Sequence, residues 1–245
     1  MTTQLSEIYD RKPRIGPGFF YWRVRSLDEA GEPASDWSPV LKFRNDPKDN
    51  WEIAVFGDSI SHGGGHISYG PADHEFSWLS YLNFPAINLS MSGDTSETML
   101  ERFEADVLPF HPRYLLILNG TNSLRAGVSA AEVIADLEEL KARCLANGIR
   151  PIFLTLPPIN PENIARAFDE PTADDWQTQF SLVNAFLRTE VHIDVAAAFS
   201  THPLLPTELA LDGLHEDVIG KQLIAQTVNR AWQEAKQQAD RLPVQ

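Results

Sequence analysis

The sequence contains a single cysteine, Cys144, among its 245 residues. An intramolecular disulfide is therefore excluded, and we expect the fold to be stabilised by its hydrophobic core. The chain also lacks a run of about 18 apolar residues, which argues against a transmembrane helix. Its first residues, MTTQLSEIYDRKPRIG, have no apolar signal core. The chain as given predicts a cytoplasmic location, or a secreted one if a signal precedes it.

Basic residues are scarce relative to acidic ones, with 20 Lys and Arg against 34 Asp and Glu and a formal net charge of −14. A surface of this sign repels phosphate backbones and anionic lipid, so we expect neither nucleic-acid binding nor membrane insertion. Hydrophobic residues make up 43% of the chain. That fraction is sufficient for a sizeable core and indicates a globular protein.

The excess negative charge lies after residue 50, because residues 1–50 hold eight basic and eight acidic side chains. Together with the polar stretch RNDPKDN at 44–50, this shift predicts a boundary near residue 48. Before it, YWRVR alternates like a half-buried strand, and PVLKFR is a second strand. Over about 26 residues the piece resembles the last two strands of a fibronectin type III domain. We predict a β-hairpin appendage over 1–48, which is a candidate homodimer contact, and a main domain over 49–245.

Short apolar runs alternate with helical patterns in the main domain, which predicts an α/β fold with a parallel sheet covered on both faces. The runs are WEIAVF (51–56), AINLS (86–90), YLLILN (114–119), PIFLTL (151–156) and VHIDVA (191–196). The helical patterns cover residues 77–82, 95–108, 129–148, 173–189 and 217–238. Function in such sheets gathers beyond the carboxyl ends of the strands. The candidate loops are therefore 57–66, 91–94, 120–127 and 157–172.

The stretch FGDSIS places Ser59 at the carboxyl end of the first of these strands. A serine there serves either as a nucleophile or, like Asp58, as a helix cap. A nucleophilic serine needs a base, and the base needs a group that orients it. LALDGLHED supplies Asp212 and His215 three residues apart, although a solvated turn is the simpler interpretation of that stretch taken alone.

An acyl-transfer site also needs hydrogen-bond donors for the oxyanion. Gly93 follows the second strand and Asn122 follows the third, so a backbone N–H and a side-chain amide are available at neighbouring strand ends. Each residue is also an ordinary turn former. Their joint placement in loops that face one crevice favours the functional interpretation.

Four blocks in this order resemble the SGNH (GDSL-type) hydrolases: GDS, SGDTS, GTN and DGLH. The resemblance covers about residues 51–235 and implies a flavodoxin-like, three-layer α/β/α fold with about five parallel strands. It further implies Ser59 as nucleophile, His215 as base and Asp212 as the orienting group, with an oxyanion hole from the N–H groups of Ser59 and Gly93 and the side chain of Asn122. One departure is Ser123, which stands where members often have aspartate.

Other motifs in the same stretch are incomplete. HGGG at 62–65 is similar to the oxyanion loop of α/β-hydrolase lipases, but the sequence has no G-x-S-x-G. A phosphate-binding loop would need a lysine after the glycines. His62 and His66, with His74 nearby, are separated by glycines and lack a further ligand type, so we expect no metal and no cofactor. SHGGGHIS is interpreted as a loop that lines the pocket beside Ser59.

The pattern predicts a serine esterase that cleaves short-chain, chiefly acetyl, esters of small molecules or carbohydrates. Asp58, His62 and Arg125 are candidate substrate contacts. The aromatic residues near loops could stack on sugars, although core packing is the simpler interpretation for each: Trp78, Tyr81 and Trp176. One alternative is a lysophospholipase or thioesterase-type acyl hydrolase. An alternative of another class is a non-catalytic carbohydrate-binding or scaffold module.

Overall fold

The protein is seen in a computed structural model that describes residues 18–45, 51–63 and 74–244. Near the N-terminus, β1 (Gly18–Trp22) pairs antiparallel with β2 (Leu41–Asn45). The sequence predicts a longer first strand, but the ladder ends at Trp22 because the Val24 N–H donates to the Ser38 hydroxyl instead. The predicted boundary near residue 48 lies outside the described residues. The likeness to fibronectin type III stays a prediction.

The main sheet has five parallel strands in the order β4-β3-β5-β6-β7. The strands are β3 (Ile53–Gly57), β4 (Ile87–Asn88), β5 (Tyr114–Leu118), β6 (Arg150–Leu154) and β7 (His192–Ile193). This is the flavodoxin-like order, in agreement with the fold that the family resemblance implies. The strand order reverses between β3 and β5, so the crevice at their carboxyl ends is where a site is expected.

Seven helices are present in the described part of the chain. They are α1 (Ser59–His62), α2 (Ser96–Asp106), α3 (Thr121–Arg125), α4 (Ala130–Ala146), α5 (Pro161–Ala167), α6 (Trp176–Leu187) and α7 (Val218–Ala239). The capping box predicted at the start of α4 is present, with Ser129 and Glu132 bonding reciprocally. Helices cover both faces of the sheet, and every residue of β3 and β5 is buried.

The longest helix, α7, is fixed to the sheet by aromatic packing. Trp232 stacks on Phe84 with ring centroids 4.8 Å apart and meets Tyr114 of β5 edge-on at 5.5 Å. Such pairs contribute about 0.5–1.5 kcal/mol beyond their buried area. The segment that precedes α7 is thereby held against the same sheet as the segment that follows β3.

Several predicted helices and loops differ from the structure. The predicted loops 57–66 and 120–127 contain the short helices α1 and α3. The predicted loop 157–172 contains α5, which begins with Asn160 as N-cap and Pro161 at its first position. The prolines and asparagines of this stretch are equally typical of loops, which is why the helix was not predicted. The helix expected over 77–82 is a short 3-10 turn, Trp78–Tyr81.

Candidate active site

Ser59 stands at the point where β3 gives way to α1. Asp58 caps this helix, because its carboxylate accepts the Ile60 N–H at 2.9 Å. Ser59 is the first residue of the helix, where a backbone N–H has no partner within the helix, and it donates to no other described residue. The capping interpretation of Asp58 is therefore correct, and it leaves Ser59 with a free N–H and a hydroxyl at the crevice.

A continuous line of hydrogen bonds joins three side chains at this crevice. His215 Nε2 lies 2.8 Å from Ser59 Oγ, and His215 Nδ1 lies 2.9 Å from Asp212 Oδ2. All three residues are buried. The distances allow the imidazole to accept the serine proton on one side while the carboxylate fixes its tautomer on the other.

Asp212 is held by its own backbone turn. Its second oxygen accepts the N–H groups of Leu214 and His215, both at 2.7 Å. Burial alone would raise the pKa of Asp212, but the hydrogen bonds from His215 and Leu214 together with the His215 charge hold that pKa below its ordinary value. Gly213 is required in this turn, since a Cβ there would lie 2.1 Å from the Asn160 carbonyl oxygen.

The two residues predicted as further oxyanion donors lie in the segments after β4 and β5. Gly93 has a φ of +86°, a conformation that favours glycine. Its N–H donates to no other residue in the described part of the chain. Asn122, in α3, gives one amide N–H to the Asp94 carbonyl oxygen at 2.9 Å, and an amide carries a second. The bond between Asn122 and Asp94 joins the two loops.

Arg102 of α2 fixes the loop that carries Gly93. Its guanidinium pairs with the Asp94 carboxylate at 2.5 Å and donates to the Leu89 carbonyl at 2.8 Å. It also lies over the Phe56 ring, 4.1 Å from the centroid. Burial raises the pKa of Asp94, while the Arg102 charge acts in the opposite direction. One arginine thus connects the ends of β3 and β4 with the loop that carries Gly93, and nothing local in the sequence indicated it.

Ser123, the residue that departs from the usual family pattern, is part of a relay. Its Oγ accepts the Ser96 N–H at 2.9 Å and lies 3.1 Å from Ser96 Oγ. Ser96 Oγ in turn donates to Asp136 of α4 at 2.5 Å. A carboxylate therefore supports α3 from a neighbouring helix, and one hydroxyl, that of Ser96, separates it from position 123, where family members often have aspartate.

The three predicted substrate contacts lie in different surroundings. Asp58 is 1% exposed and engaged in capping, which leaves little of it accessible to a substrate. His62 is buried and shares a hydrogen bond with Ser92 at 2.8 Å, next to Gly93. Burial and the Arg102 charge lower the pKa of His62 to about 4, so it is neutral near pH 7. Their contact with substrate stays a prediction.

Arg125 is connected to the crevice by its contact with Phe168, a residue that the sequence did not single out. Phe168, at the end of α5, is half-buried, and its ring lies 6.1 Å from that of His215. The Arg125 guanidinium lies 5.7 Å from the Phe168 centroid and pairs with Glu170 at 3.4 Å. Phe168 occupies the predicted loop 157–172 without any motif, so only the fold could bring it to the site.

Trp78 and Trp176 pack in the core, as the simpler interpretation of these two residues predicts. Trp78 is 0% and Trp176 9% exposed, and Trp78 donates to the Ser61 hydroxyl inside the core. Of the loop SHGGGHIS, residues 64–68 lie outside the described residues. Within the described ranges, no group of three His, Cys, Asp or Glu side chains is arranged to hold a metal ion, and no helix is long and apolar enough to cross a membrane.

Comparison with known proteins identifies the family. Residues 55–223 match the family described as GDSL-like Lipase/Acylhydrolase. The chain belongs to this family. Membership places it among the serine hydrolases that act on ester bonds, as the four blocks indicated.

Related proteins share the fold at low identity. A candidate acylhydrolase of Bacteroides fragilis is 19% identical, with a TM-score of 0.60 over 80% of this chain and 91% of that one. A catalytic mutant of an acetylxylan esterase from Geobacillus stearothermophilus is 22% identical, with a TM-score of 0.53 over 73% and 92%. The uncharacterized lipoprotein YqeF of Bacillus subtilis (strain 168) is 29% identical over 120 residues, 44% of this chain. That match spans about half of the curated relative, 49% of its length.

Proposed function

We propose that the chain hydrolyses short-chain, chiefly acetyl, esters through an acyl-enzyme on Ser59. The observation that carries this proposal is the line of hydrogen bonds from Ser59 Oγ through His215 to Asp212, at 2.8 and 2.9 Å. These lengths lie within the reach required for a nucleophile and its base.

In the proposed reaction, Ser59 Oγ attacks the ester carbonyl carbon while its proton passes to His215 Nε2. The oxyanion is held by the N–H groups of Ser59 and Gly93 and by the second amide N–H of Asn122. His215 then protonates the leaving alcohol as the acyl-enzyme forms. A water molecule, deprotonated by the same imidazole, attacks the acyl carbon, and His215 returns the proton to Ser59 Oγ as the acid leaves. Removing one oxyanion donor typically costs about 3–4 kcal/mol of transition-state stabilisation.

The proposed substrate is an acetylated carbohydrate. One structural relative is named an acetylxylan esterase, and another is named an acetyl-xylooligosaccharide esterase. Beside His215, the Phe168 ring and the Arg125 guanidinium offer an apolar face and a polar group, which suits a sugar alcohol. Arg125 Nε is buried without a hydrogen-bond partner among the described residues.

A panel of acetyl, butyryl and octanoyl esters of p-nitrophenol, together with acetylated xylo-oligosaccharides, tests the proposal. We expect the highest kcat/KM for the acetyl esters and no turnover by Ser59→Ala. A preference for octanoyl esters would favour the lysophospholipase or thioesterase alternative. Equal rates for wild type and Ser59→Ala would leave the non-catalytic alternative.

The variant Arg125→Met tests whether the sugar alcohol of the substrate lies beside Arg125. Loss of the guanidinium should raise KM for the acetylated oligosaccharide and leave KM for p-nitrophenyl acetate unchanged, because only the sugar has hydroxyls for it to contact. Arg166→Met, which removes an exposed arginine of α5, is the matched control. An equal rise in KM for both substrates would contradict this placement.

A further inference from the structure

A buried ammonium group connects the segment that carries Ser59 with the segment that carries His215. Lys221, in the first turn of α7, donates from Nζ to the Ile60 carbonyl oxygen and to the Glu216 carboxylate, each at 2.7 Å. Ile60 follows Ser59 directly, and Glu216 follows His215 directly. The Lys221 and Glu216 side chains are 1% and 0% exposed, so water does not compete for these bonds.

Stability is a weak reason for such a pair. Taking two charges out of water is costly, and buried ion pairs can often be replaced by apolar side chains without loss of stability. Fixing one geometry is a better reason, because each bond of Lys221 ends on a neighbour of a reacting residue. Glu216 is itself anchored, since its backbone forms a bridge with Ala210.

A second carboxyl group, that of Asp58, is affected by the charge of the same ammonium. Burial raises the pKa of Asp58 to about 7, against the Ile60 N–H bond and the Lys221 charge, which lower it, while Asp94 and Glu216 raise it further. One positive charge therefore acts on two acidic residues, Asp58 next to Ser59 and Glu216 next to His215. None of these groups takes part in the proposed proton transfers.

We propose that Lys221 is a positioning residue, which holds α1 and the His215 segment at the separation that proton transfer from Ser59 requires. The inference rests on the proposed function. If the two hydrogen bonds of Lys221 are lost, nothing in this pair of bonds fixes the distance between Ser59 Oγ and His215 Nε2. A misplacement of about 1 Å at a reacting centre lowers the rate by about 100-fold.

The test compares Lys221→Met with the double variant Lys221→Met/Glu216→Met. The single variant leaves Glu216 buried without a counter-ion, so we expect a lower melting temperature or failure to fold. The double variant removes both charges and should melt close to wild type. Its kcat should nevertheless fall by about 10- to 100-fold, with KM within about twofold, because the bridge is absent.

Lys141→Met is the matched control, since it breaks the ion pair between Lys141 and Glu190, 2.5 Å long, away from the proposed machinery. It should leave kcat unchanged. A double variant with wild-type kcat would overturn the proposal, and so would one that does not fold, because the pair would then serve stability. Ser59→Ala in the same assay separates the positioning role of Lys221 from the proposed function. If Ser59→Ala is inactive, a double variant with wild-type kcat refutes only the positioning role. If Ser59→Ala is active, the proposed function fails.

Discussion

His215 Nε2 lies 2.8 Å from Ser59 Oγ although 156 positions separate the two residues in the chain. β3 leads directly into Ser59, whereas His215 reaches the same crevice from the segment before α7. The contact therefore depends on the docking of α7, which Trp232 secures between Phe84 and Tyr114. The site is assembled from both ends of the main sheet domain, and each of the following predictions tests one part of that assembly.

The three side chains of the hydrogen-bonded line should differ in their contribution to turnover. Ser59→Ala and His215→Ala should each lower kcat by roughly 10⁴-fold or more, because nucleophile and base act as a unit. Asp212→Asn should be roughly tenfold to a hundredfold less severe, since it removes only the group that orients the imidazole. Steady-state kinetics on p-nitrophenyl acetate measures this, with Asp174→Asn on the surface as control. Equal losses for Asp212→Asn and Asp174→Asn would refute a role for Asp212.

The relay from Asp136 through Ser96 to Ser123 predicts a dependence between two distant positions. Ser123→Asp would place a second carboxylate only one hydroxyl, that of Ser96, from Asp136, and like charges at this distance repel. The variant should therefore lose melting temperature and kcat/KM. Asp136→Asn added to Ser123→Asp should restore both, because one carboxylate then remains. Thermal melts and kinetics of the two single variants and the double variant test this coupling, and strictly additive effects would contradict it.

Arg102 should matter for stability far more than an exposed arginine. Arg102→Met leaves Asp94 buried without its partner, and breaking such a pair costs about 3–5 kcal/mol. Arg166→Met removes an exposed pair with Glu162 and should change stability by less than about 1 kcal/mol. Urea denaturation of both variants gives the comparison. Adding Asp94→Asn to Arg102→Met should recover part of the loss, and similar free energies of unfolding for the two arginine variants would disprove the assigned role.

Two buried groups should give the unfolding free energy opposite dependences on pH. The pKa of Asp58 is raised to about 7 by burial, so its folded form binds a proton more tightly than the unfolded chain, and it contributes less stability as pH rises from about 4 to 7. The pKa of His62 is lowered to about 4, so the unfolded chain binds the proton more tightly, and stability is lost as pH falls from about 6.5 to 4.

Asp58→Asn keeps a capping oxygen, and His62→Asn keeps a polar group toward Ser92. Relative to wild type, Asp58→Asn should gain melting temperature as pH rises from 4 to 7, whereas His62→Asn should have its advantage at pH 4 and lose it by about pH 6.5. Melting curves in a single buffer series check both slopes. Parallel difference curves for the two variants would contradict the assignment.

The sequence predicted those features that are encoded over a few neighbouring residues. The five apolar runs correspond to the five strands, and the order of GDS, SGDTS, GTN and DGLH correctly indicated the family. α5 was missed because Pro161 and Asn160 are typical of both loops and helix starts. For the aromatic residues beside loops, core packing was the simpler interpretation, and the burial of Trp78 confirms it.

What the sequence could not show are the supports that lie far apart in the chain. Arg102, Asp136 and Lys221 follow no motif, and each acts through contacts with segments that the fold brings to it. Their roles depend on burial, which gives a single charge a strong effect. Such residues become visible only when the helices are placed around the strand ends.

The central claim, that Ser59 is a nucleophile activated by His215, is tested most directly by labelling the folded protein with a fluorophosphonate and measuring the intact mass and the modified peptide. The account predicts one phosphonyl group on Ser59 in the wild type, much slower labelling in His215→Ala and none in Ser59→Ala. A label on a different residue, or equal labelling of wild type and Ser59→Ala, would contradict it.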